Sequence, residues 1–147
     1  MRQLDYPPVW LLGALALVWG ETLLVPDVVP WGWAQALGTG AVVVAVLLVL
    51  AAGWEFLRAR STIIPHQTPQ KLITTGVFAY SRNPIYLADV LILGGVSLRW
   101  GAISGLLLVP VLAFVLHRRF ILGEESRIRA AFGPEATAYF ACTRRWI

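Results

Sequence analysis

The sequence predicts an all-α polytopic membrane protein with about four transmembrane helices, a tight hairpin between the third and fourth, and a cytoplasmic helical extension at the C-terminus. Of its 147 residues, 58% are hydrophobic, and the mean hydropathy is +0.70. Soluble domains are usually about 45–50% apolar. We expect one membrane domain: two N-terminal helices in 1–57, a connector in 58–83, the hairpin in 84–116 and the extension in 117–147.

Two stretches are long enough to cross a bilayer by themselves, since a helix needs roughly 20 mostly apolar residues to do so. They are 9–25 and 34–57. A signal peptide is the alternative for the first stretch, with Arg2 ahead of the apolar residues. No small-residue cleavage site follows, and Glu21 and Pro26 stand where one is expected. We therefore interpret 9–25 as the first membrane helix.

The next apolar sequence falls into two shorter pieces, 84–98 and 101–116, separated by Arg99 and Trp100. Each piece is short for an independent span. We therefore expect a helical hairpin in which more polar residues extend each helix at the end opposite the hairpin turn. Pro84 suits the first position of the third helix, and Asn83 before it is a good N-terminal cap.

The fourth helix has no stop signal at its membrane end. We expect it to run on until Gly133 and Pro134 end it, so that it leaves the membrane as one long helix.

Basic residues set the predicted orientation. Eleven of the twelve Lys and Arg residues fall on one side of the predicted membrane, and Arg99 is the exception. Since basic residues are retained in the cytoplasm, we expect both termini and the connector to be cytoplasmic. Tryptophans near the span ends fit interfacial anchoring; they are at positions 10, 31, 33, 54 and 100. The net charge of +4 is explained by this asymmetry and by anionic lipid, without nucleic acid. A lone cysteine, Cys142, excludes an internal disulfide.

Polar residues concentrate in the connector and in the extension, which the hairpin brings to the same membrane face. On the extension, helical spacing places His117, Ile121, Glu124 and Ile128 on one face. The neighbouring face carries Arg118, Glu125 and Arg129. From spacing alone, a solvated helix with Arg–Glu pairs worth about 0.2–0.5 kcal/mol is the favoured interpretation. A site that faces the connector is the alternative.

Asp89 lies about two turns inside the third helix, on one stripe with Tyr86 and Leu93. A carboxylate inside a membrane costs on the order of 2.5–3.5 kcal/mol unless it faces protein, water or a partner. We therefore expect Asp89 to face the bundle interior, with Arg82 as a possible partner. Glu21 is interpreted as a buried, hydrogen-bonded group.

Other catalytic templates are weak. The stretch "GTGAVV" at Gly38 lacks the third glycine of a dinucleotide fingerprint and does not follow a strand. His66 and His117 have no second ligand at metal spacing, so no metal site is predicted.

The stretch "TTGVFAYSRNPIYLADVLILGG", followed by "HRRFILGEESRIRAAFG", a tyrosine and "TRRWI", resembles the isoprenylcysteine carboxyl methyltransferase-like family, to which phospholipid methyltransferases are similar. The resemblance covers 72–147. It implies an integral membrane methyltransferase with S-adenosylmethionine held at the cytoplasmic face and a lipophilic small molecule or lipid as acceptor. The cofactor-binding residues that it implies are Arg82, Asn83, Pro84, Tyr86, Leu87, Gly94, Glu124, Glu125 and Tyr139.

Two positions depart from the family pattern: Asn83 stands where many relatives have His, and Ala136 stands where a tyrosine is common. The candidate catalytic residues are His117, as a base for an amine acceptor, and Asp89, for which a role in tying helices together is the alternative.

Several interpretations stay open on these residues. A prenylcysteine carboxyl, a phospholipid amine and a small thiol are all compatible acceptors. Membrane sterol reductases, which use NADPH, look similar in their C-terminal half, although four spans are few for that class. A non-catalytic membrane scaffold is the third possibility. The oligomeric state is not predicted.

Overall fold

The computed structural model describes residues 5–24, 32–60 and 71–147, and these residues form helices and turns without a strand. The elements are α1 (Pro7–Leu24), α2 (Gly32–Ala59), a short 3-10 helix (Gly76–Ala79), α3 (Pro84–Arg99), α4 (Ile103–Leu116), a π-helical turn (His117–Ile121) and α5 (Leu122–Cys142). The predicted all-α class is confirmed. Arg2, Trp31 and His66, which entered the predictions above, lie outside the described residues.

Among the residues that the structure describes, three helical segments are long and apolar enough to cross a membrane: Pro7–Leu24, Gly32–Ala59 and Ser104–Cys142. The third predicted span, α3, is not among them and has 16 residues. At 1.5 Å per residue it is about 24 Å long, against roughly 30 Å of hydrocarbon. The expectation that both hairpin helices gain length at the far end is therefore confirmed for α4 and wrong for α3, because Pro84 begins α3 directly after an irregular turn.

Successive membrane helices run antiparallel, as contacts at the two ends of the bundle show. At one end Arg99, the last residue of α3, donates to Thr39 near the start of α2 over 2.9 Å, and Ser104 of α4 donates to Glu21 of α1. The hydrogen bond expected at Glu21 is confirmed, but the side chain is only partly buried. At the other end Arg119 lies 3.1 Å from Asp5.

Helix α3 lies at the centre and packs against α1, α2 and α4. Its approach to α2 depends on two glycines. A Cβ at Gly95 would stand 2.7 Å from the carbonyl oxygen of Gly38, and a Cβ at Gly38 would collide with the Gly95 carbonyl. Gly94 has more room, since a Cβ there would meet only Val109 at 3.6 Å. Small residues thus bring α2 and α3 into backbone contact, as is common between membrane helices.

The hydrophobic core joins α1, α3, α4 and the π-helical turn. Its buried members are Leu11, Val18, Tyr86, Leu93, Ala102, Leu112, Leu116, Phe120 and Ile121. Many large apolar residues of α1 and α2 are instead exposed, including Leu17 (66%) and Leu50 (63%). Exposed apolar faces of this kind are expected where lipid is the solvent.

The fourth helix leaves the core through the π-helical turn, in which the Leu122 amide donates to the His117 carbonyl. This wider turn adds one residue to the helical repeat and so shifts the register of α5. The face predicted to join His117 to Glu124 is therefore not continuous. Further along, Gly133 has φ 50° and ψ −119°. The predicted break at Gly133 is confirmed, but a further helical stretch follows it as far as Cys142.

Candidate functional site

The start of α3 is held by the last residues of the chain. The Arg82 amide donates to the Arg144 carbonyl over 3.0 Å, and the Asn83 side-chain amide donates to the Arg145 carbonyl over 2.9 Å. Asn83 occupies the N-cap position of α3 but makes no side-chain capping bond. The prediction that its side chain caps the helix is therefore wrong. The amide instead ties the C-terminal segment to the mouth of α3.

Glu125 is the centre of a buried ion cluster. The Arg145 guanidinium donates to both of its carboxylate oxygens, Nε to Oε1 over 2.8 Å and Nη2 to Oε2 over 2.7 Å. Arg82 adds a third contact at 3.4 Å. The hydrogen bond to Glu125 raises the pKa of Arg145 above its ordinary value. Since Glu125 is only 6% exposed, the solvated-helix interpretation is wrong for this residue.

Arg82 faces Glu125 and the Phe140 ring. Its guanidinium carbon lies 4.5 Å from the ring centroid, a distance typical of cation–π attraction. Burial lowers the pKa of Arg82, and the Glu125 carboxylate opposes that effect; an arginine remains charged throughout. The salt bridge predicted as possible between Arg82 and Asp89 is not formed. Arg82 pairs with Glu125 instead.

Glu124 and Tyr86 connect the two halves of the site. The Tyr86 hydroxyl donates to the Glu124 carboxylate over 2.6 Å, a short bond of the kind that an ionised acceptor gives. Tyr86 is 7% exposed and belongs to the core. This bond therefore fixes the first turn of α3 to the first turn of α5.

Tyr139 connects α5 to the connector. Its hydroxyl donates to the Phe78 carbonyl in the 3-10 helix over 2.6 Å. The Phe78 ring in turn meets Phe56 of α2 edge to face, with centroids 5.4 Å apart. Glu55, one residue before Phe56, accepts a bond from the Thr75 hydroxyl over 2.6 Å. The connector is thereby held between α2 and α5.

These contacts surround a cavity of about 410 Å³. Apolar and aromatic side chains supply much of its wall, and they come from α1, α2, the connector, α3 and α5. The charged residues in the wall are Lys71, Arg82, Asp89, Glu124, Glu125 and Arg127.

Three buried side-chain polar atoms lack a hydrogen-bond partner in the described parts of the chain: Arg82 Nε, Asp89 Oδ2 and Arg127 Nε. All three residues line this cavity. Buried polar groups without a partner are costly and rare in folded proteins. These three residues bring side-chain polar atoms without a protein partner to the wall of one cavity.

The sequence-predicted residues divide into two groups. Those that line the cavity are Arg82, Asn83, Pro84, Tyr86, Asp89, Glu124, Glu125 and Tyr139. Leu87, Gly94 and His117 are not among its lining residues; Gly94 faces α4 and His117 lies in the π-helical turn. Ala136 is fully buried and also lies outside the lining. Within 5–24, 32–60 and 71–147, no cluster of three His, Cys, Asp or Glu residues could hold a metal ion.

Sequence reasoning missed several lining residues. Arg127 follows Glu124 by three positions, about one helical turn, so helical spacing could have placed it on the face of Glu124. Ile128 was predicted to share the face of Glu124 but was not assigned to the site. Tyr6, Pro7 and Pro8 also line the cavity; no motif marks them, because their place depends on the packing of α1.

The chain was compared with known families and proteins. A family model described as Phospholipid methyltransferase matches residues 33–135, which is more than half of the chain. No curated protein and no solved structure matches it.

Proposed function

Because the chain belongs to the phospholipid methyltransferase family, a family of membrane methyltransferases, we propose that it transfers a methyl group from S-adenosylmethionine to a lipophilic acceptor reached from the bilayer. The observation that carries the proposal is the cavity of about 410 Å³, whose wall includes the three described residues with buried side-chain polar atoms that lack a partner. From the distribution of basic residues, we place the cavity and both chain termini at the cytoplasmic face.

The cavity suits S-adenosylmethionine in size and in chemistry. Its volume falls within the roughly 300–1,000 Å³ typical of small-molecule sites. The ligand carries a carboxylate, an ammonium group, a ribose diol, an adenine and a sulfonium. The unpartnered Nε donors of Arg82 and Arg127 would hold the carboxylate, assisted by the positive end of α3. Glu124 would hold the diol or the ammonium group.

The apolar part of the wall suits the adenine ring. Phe78, Ile128 and Phe140 supply aromatic and aliphatic surface beside the charged residues. Phe140 is also contacted by the guanidinium of Arg82, so its ring position is set within the site. Flat apolar surface of this kind commonly receives planar heterocycles.

When bound, S-adenosylmethionine supplies a methyl group on a positively charged sulfur, which makes that carbon electrophilic. The residues of the chain contribute chiefly by holding both reactants in line and by excluding water. Tyr86 and Glu124, fixed to each other over 2.6 Å, give the site a rigid wall. The Glu125–Arg145 pair and its contact with Arg82 keep the cationic side in place.

We assign the part of the cavity wall that contacts the acceptor to the N-terminal helices, α1 and α2. Tyr6, Pro7 and Pro8 from the start of α1 and Phe56 from α2 contribute to the wall. Tyr6 to Pro8 lie outside the matched residues 33–135. This placement supports the expectation that helices one and two shape the choice of acceptor. A lipid carboxyl, thiol or amine could be accommodated by such a wall.

Equilibrium binding of S-adenosylmethionine, S-adenosylhomocysteine and NADPH to the detergent-solubilised protein tests the proposal. The protein should bind both methyl-donor forms. A hydrogen bond to a charged group contributes about 1.5–3 kcal/mol, so Arg127→Met should weaken S-adenosylhomocysteine binding by roughly 10- to 150-fold. Arg118→Met is the matched control, because Arg118 is exposed and lies outside the cavity lining; its affinity should equal that of the wild type.

The alternatives give different outcomes. Binding of NADPH in place of the donor would favour a reductase. If neither donor form binds to folded protein at millimolar concentration, a non-catalytic scaffold would remain and the proposal would be wrong. Glu124→Gln tests whether Glu124 contacts the donor or only links α5 to α3. If Glu124 contacts the donor, the variant should bind the donor more weakly while its thermal midpoint changes by no more than a few degrees.

A further inference from the structure

Glu55 is a buried acid near the end of α2 that does not line the cavity. It is 9% exposed, whereas the next residue, Phe56, belongs to the cavity wall. The Glu55 carboxylate accepts a bond from the Thr75 hydroxyl over 2.6 Å, a length typical of a hydroxyl bonded to a carboxylate. The partner of this acid is therefore the connector.

Thr75 bonds to Glu55 in place of capping its own helix. It occupies the N-cap position of the 3-10 helix, where a threonine side chain usually accepts a bond from a nearby backbone amide. It makes no side-chain capping bond there. Its hydroxyl instead reaches a residue 20 positions earlier in the chain, so the start of the 3-10 helix is held by α2.

Gly76 brings the connector backbone against the same carboxylate. A Cβ at this position would lie 2.7 Å from the Glu55 Cδ atom, which is closer than real side-chain atoms approach. The φ of Gly76 is 58°, in the left-handed region that glycine adopts readily. Glu55 therefore contacts two consecutive residues of the connector, the hydroxyl of Thr75 and the backbone of Gly76.

The 3-10 helix connects this anchor to the cavity wall. The Phe78 amide donates to the Thr75 carbonyl over 3.1 Å, so the two residues belong to one turn. The Phe78 ring is 8% exposed and meets Phe56 edge to face, and both rings line the cavity. A 3-10 helix of four residues has little stability of its own. The position of Phe78 therefore depends on two contacts, the Glu55 bond at the start of the turn and the Tyr139 bond at the Phe78 carbonyl.

We propose that Glu55 is a positioning residue of the donor site, which acts through Thr75 and Gly76 to hold the Phe56 and Phe78 rings where the adenine of S-adenosylmethionine stacks. The inference rests on the proposed methyl transfer and assigns a role in it to a residue outside the cavity. Stacking of a base on an aromatic side chain depends on the distance and tilt of the ring. Loss of the Glu55 anchor should therefore weaken binding of the adenosine half of the donor and leave its amino-acid half unaffected.

The test measures dissociation constants for two ligands, S-adenosylhomocysteine and 5′-methylthioadenosine, which has the same adenosine but no amino-acid group. Thr75→Val keeps the side-chain shape and removes the hydroxyl. It should weaken binding of both ligands by the same factor, about 5-fold or more, because one base–aromatic stack contributes about this much or more. Arg127→Met should instead weaken S-adenosylhomocysteine alone, since only that ligand carries the carboxylate.

Two variants serve as controls. Thr74→Val changes the neighbouring threonine, which is exposed and lies outside the cavity lining, so both affinities should equal those of the wild type. Glu55→Gln keeps an acceptor oxygen for the Thr75 hydroxyl and should restore binding to near the wild-type affinity, whereas Glu55→Leu should bind as weakly as Thr75→Val.

A purely stabilising role for Glu55 gives a different pattern. Thr75→Val would then lower the thermal midpoint but keep the wild-type affinity for both ligands well below that midpoint, and this result would overturn the proposal. So would weakening of S-adenosylhomocysteine alone, or equally weak binding by Glu55→Gln and Glu55→Leu. Thr75 is exposed, so Thr75→Val decides the matter even if Glu55→Leu does not fold. If the wild type binds neither ligand, the failure lies with the proposed methyl transfer itself.

Discussion

Glu125 lies in a buried ion cluster, whereas helical spacing alone favoured a solvated position for it. We therefore predict that Glu125→Gln strongly destabilises the protein. The substitution keeps the side-chain size and one acceptor oxygen. It replaces the other oxygen with an amide group that cannot accept the bond from Arg145, now 2.7 Å long, and it leaves Arg82 without its counter-charge.

The size of the effect follows from these contacts. Loss of one hydrogen bond between charged groups costs about 1.5–3 kcal/mol, and removing one partner of a buried ion pair costs about 3–5 kcal/mol. Gln retains part of the network, and Arg145 is 32% exposed, so we expect about 3 kcal/mol. For a chain of this size, that corresponds to a fall of roughly 6–12 °C in the thermal midpoint.

Thermal unfolding in detergent, followed by tryptophan fluorescence, measures this shift. Glu135→Gln is the control, because Glu135 is an exposed acid on the same helix and its loss should change the midpoint by about 1 °C or less. The same small shift for Glu125→Gln and Glu135→Gln would instead favour the solvated-helix interpretation, in which Arg–Glu pairs contribute only about 0.2–0.5 kcal/mol.

Two further predictions concern the packing of the bundle. Gly95→Ala should destabilise the protein by about 1–2 kcal/mol, because the new Cβ overlaps backbone of α2 and this overpacking outweighs the gain of about 1 kcal/mol in helix propensity. The neighbouring Gly94→Ala should be neutral or stabilising. The thermal midpoints of the two variants test this difference. The side chains of Asp5 and Arg119 are 30% and 51% exposed. A double-mutant cycle on this pair should therefore give a coupling free energy of about 0.2–1 kcal/mol that decreases in high salt. A larger coupling that does not depend on salt would contradict this prediction.

Hydropathy and helix signals predicted most of the fold. The start of α3 at Pro84 follows from the fixed φ of proline, which suits the first helical position, and the break at Gly133 uses a positive φ that glycine adopts readily. The polar lengthening expected for α3 was wrong, because Pro84 begins this helix directly after an irregular turn. The π-helical turn was also missed, since no residue type specifies it, and it moves His117 out of line with Glu124.

The candidate site was predicted in part. Family motifs led to Arg82, Tyr86, Glu124 and Glu125, and the structure brings these residues to one cavity. The pairing of Glu125 with Arg145 spans 20 positions along the chain. Spacing on a single helix suggested nearer partners, so the burial of this acid could not be read from the sequence. Spacing along one helix likewise does not predict contacts between segments that are far apart in the sequence.

Asn83 illustrates a local rule overridden by tertiary structure. An Asn before a helix-starting proline is a good cap by propensity. In the fold, the same amide reaches the Arg145 carbonyl over 2.9 Å, and the C-terminal segment gains an anchor. The position was correctly predicted and the bond was not.

We propose that the cavity between α3 and α5 supports methyl transfer to a lipophilic acceptor. The most direct measurement incubates the purified protein with S-adenosylmethionine labelled in its methyl group and a total lipid extract, then identifies the labelled species by mass spectrometry. We predict protein-dependent label on an organic-soluble molecule, lost in Arg127→Met and retained in Arg118→Met. Absence of labelled lipid in a preparation that binds the donor, or equal labelling by both variants, would show that this cavity does not carry out the proposed methyl transfer.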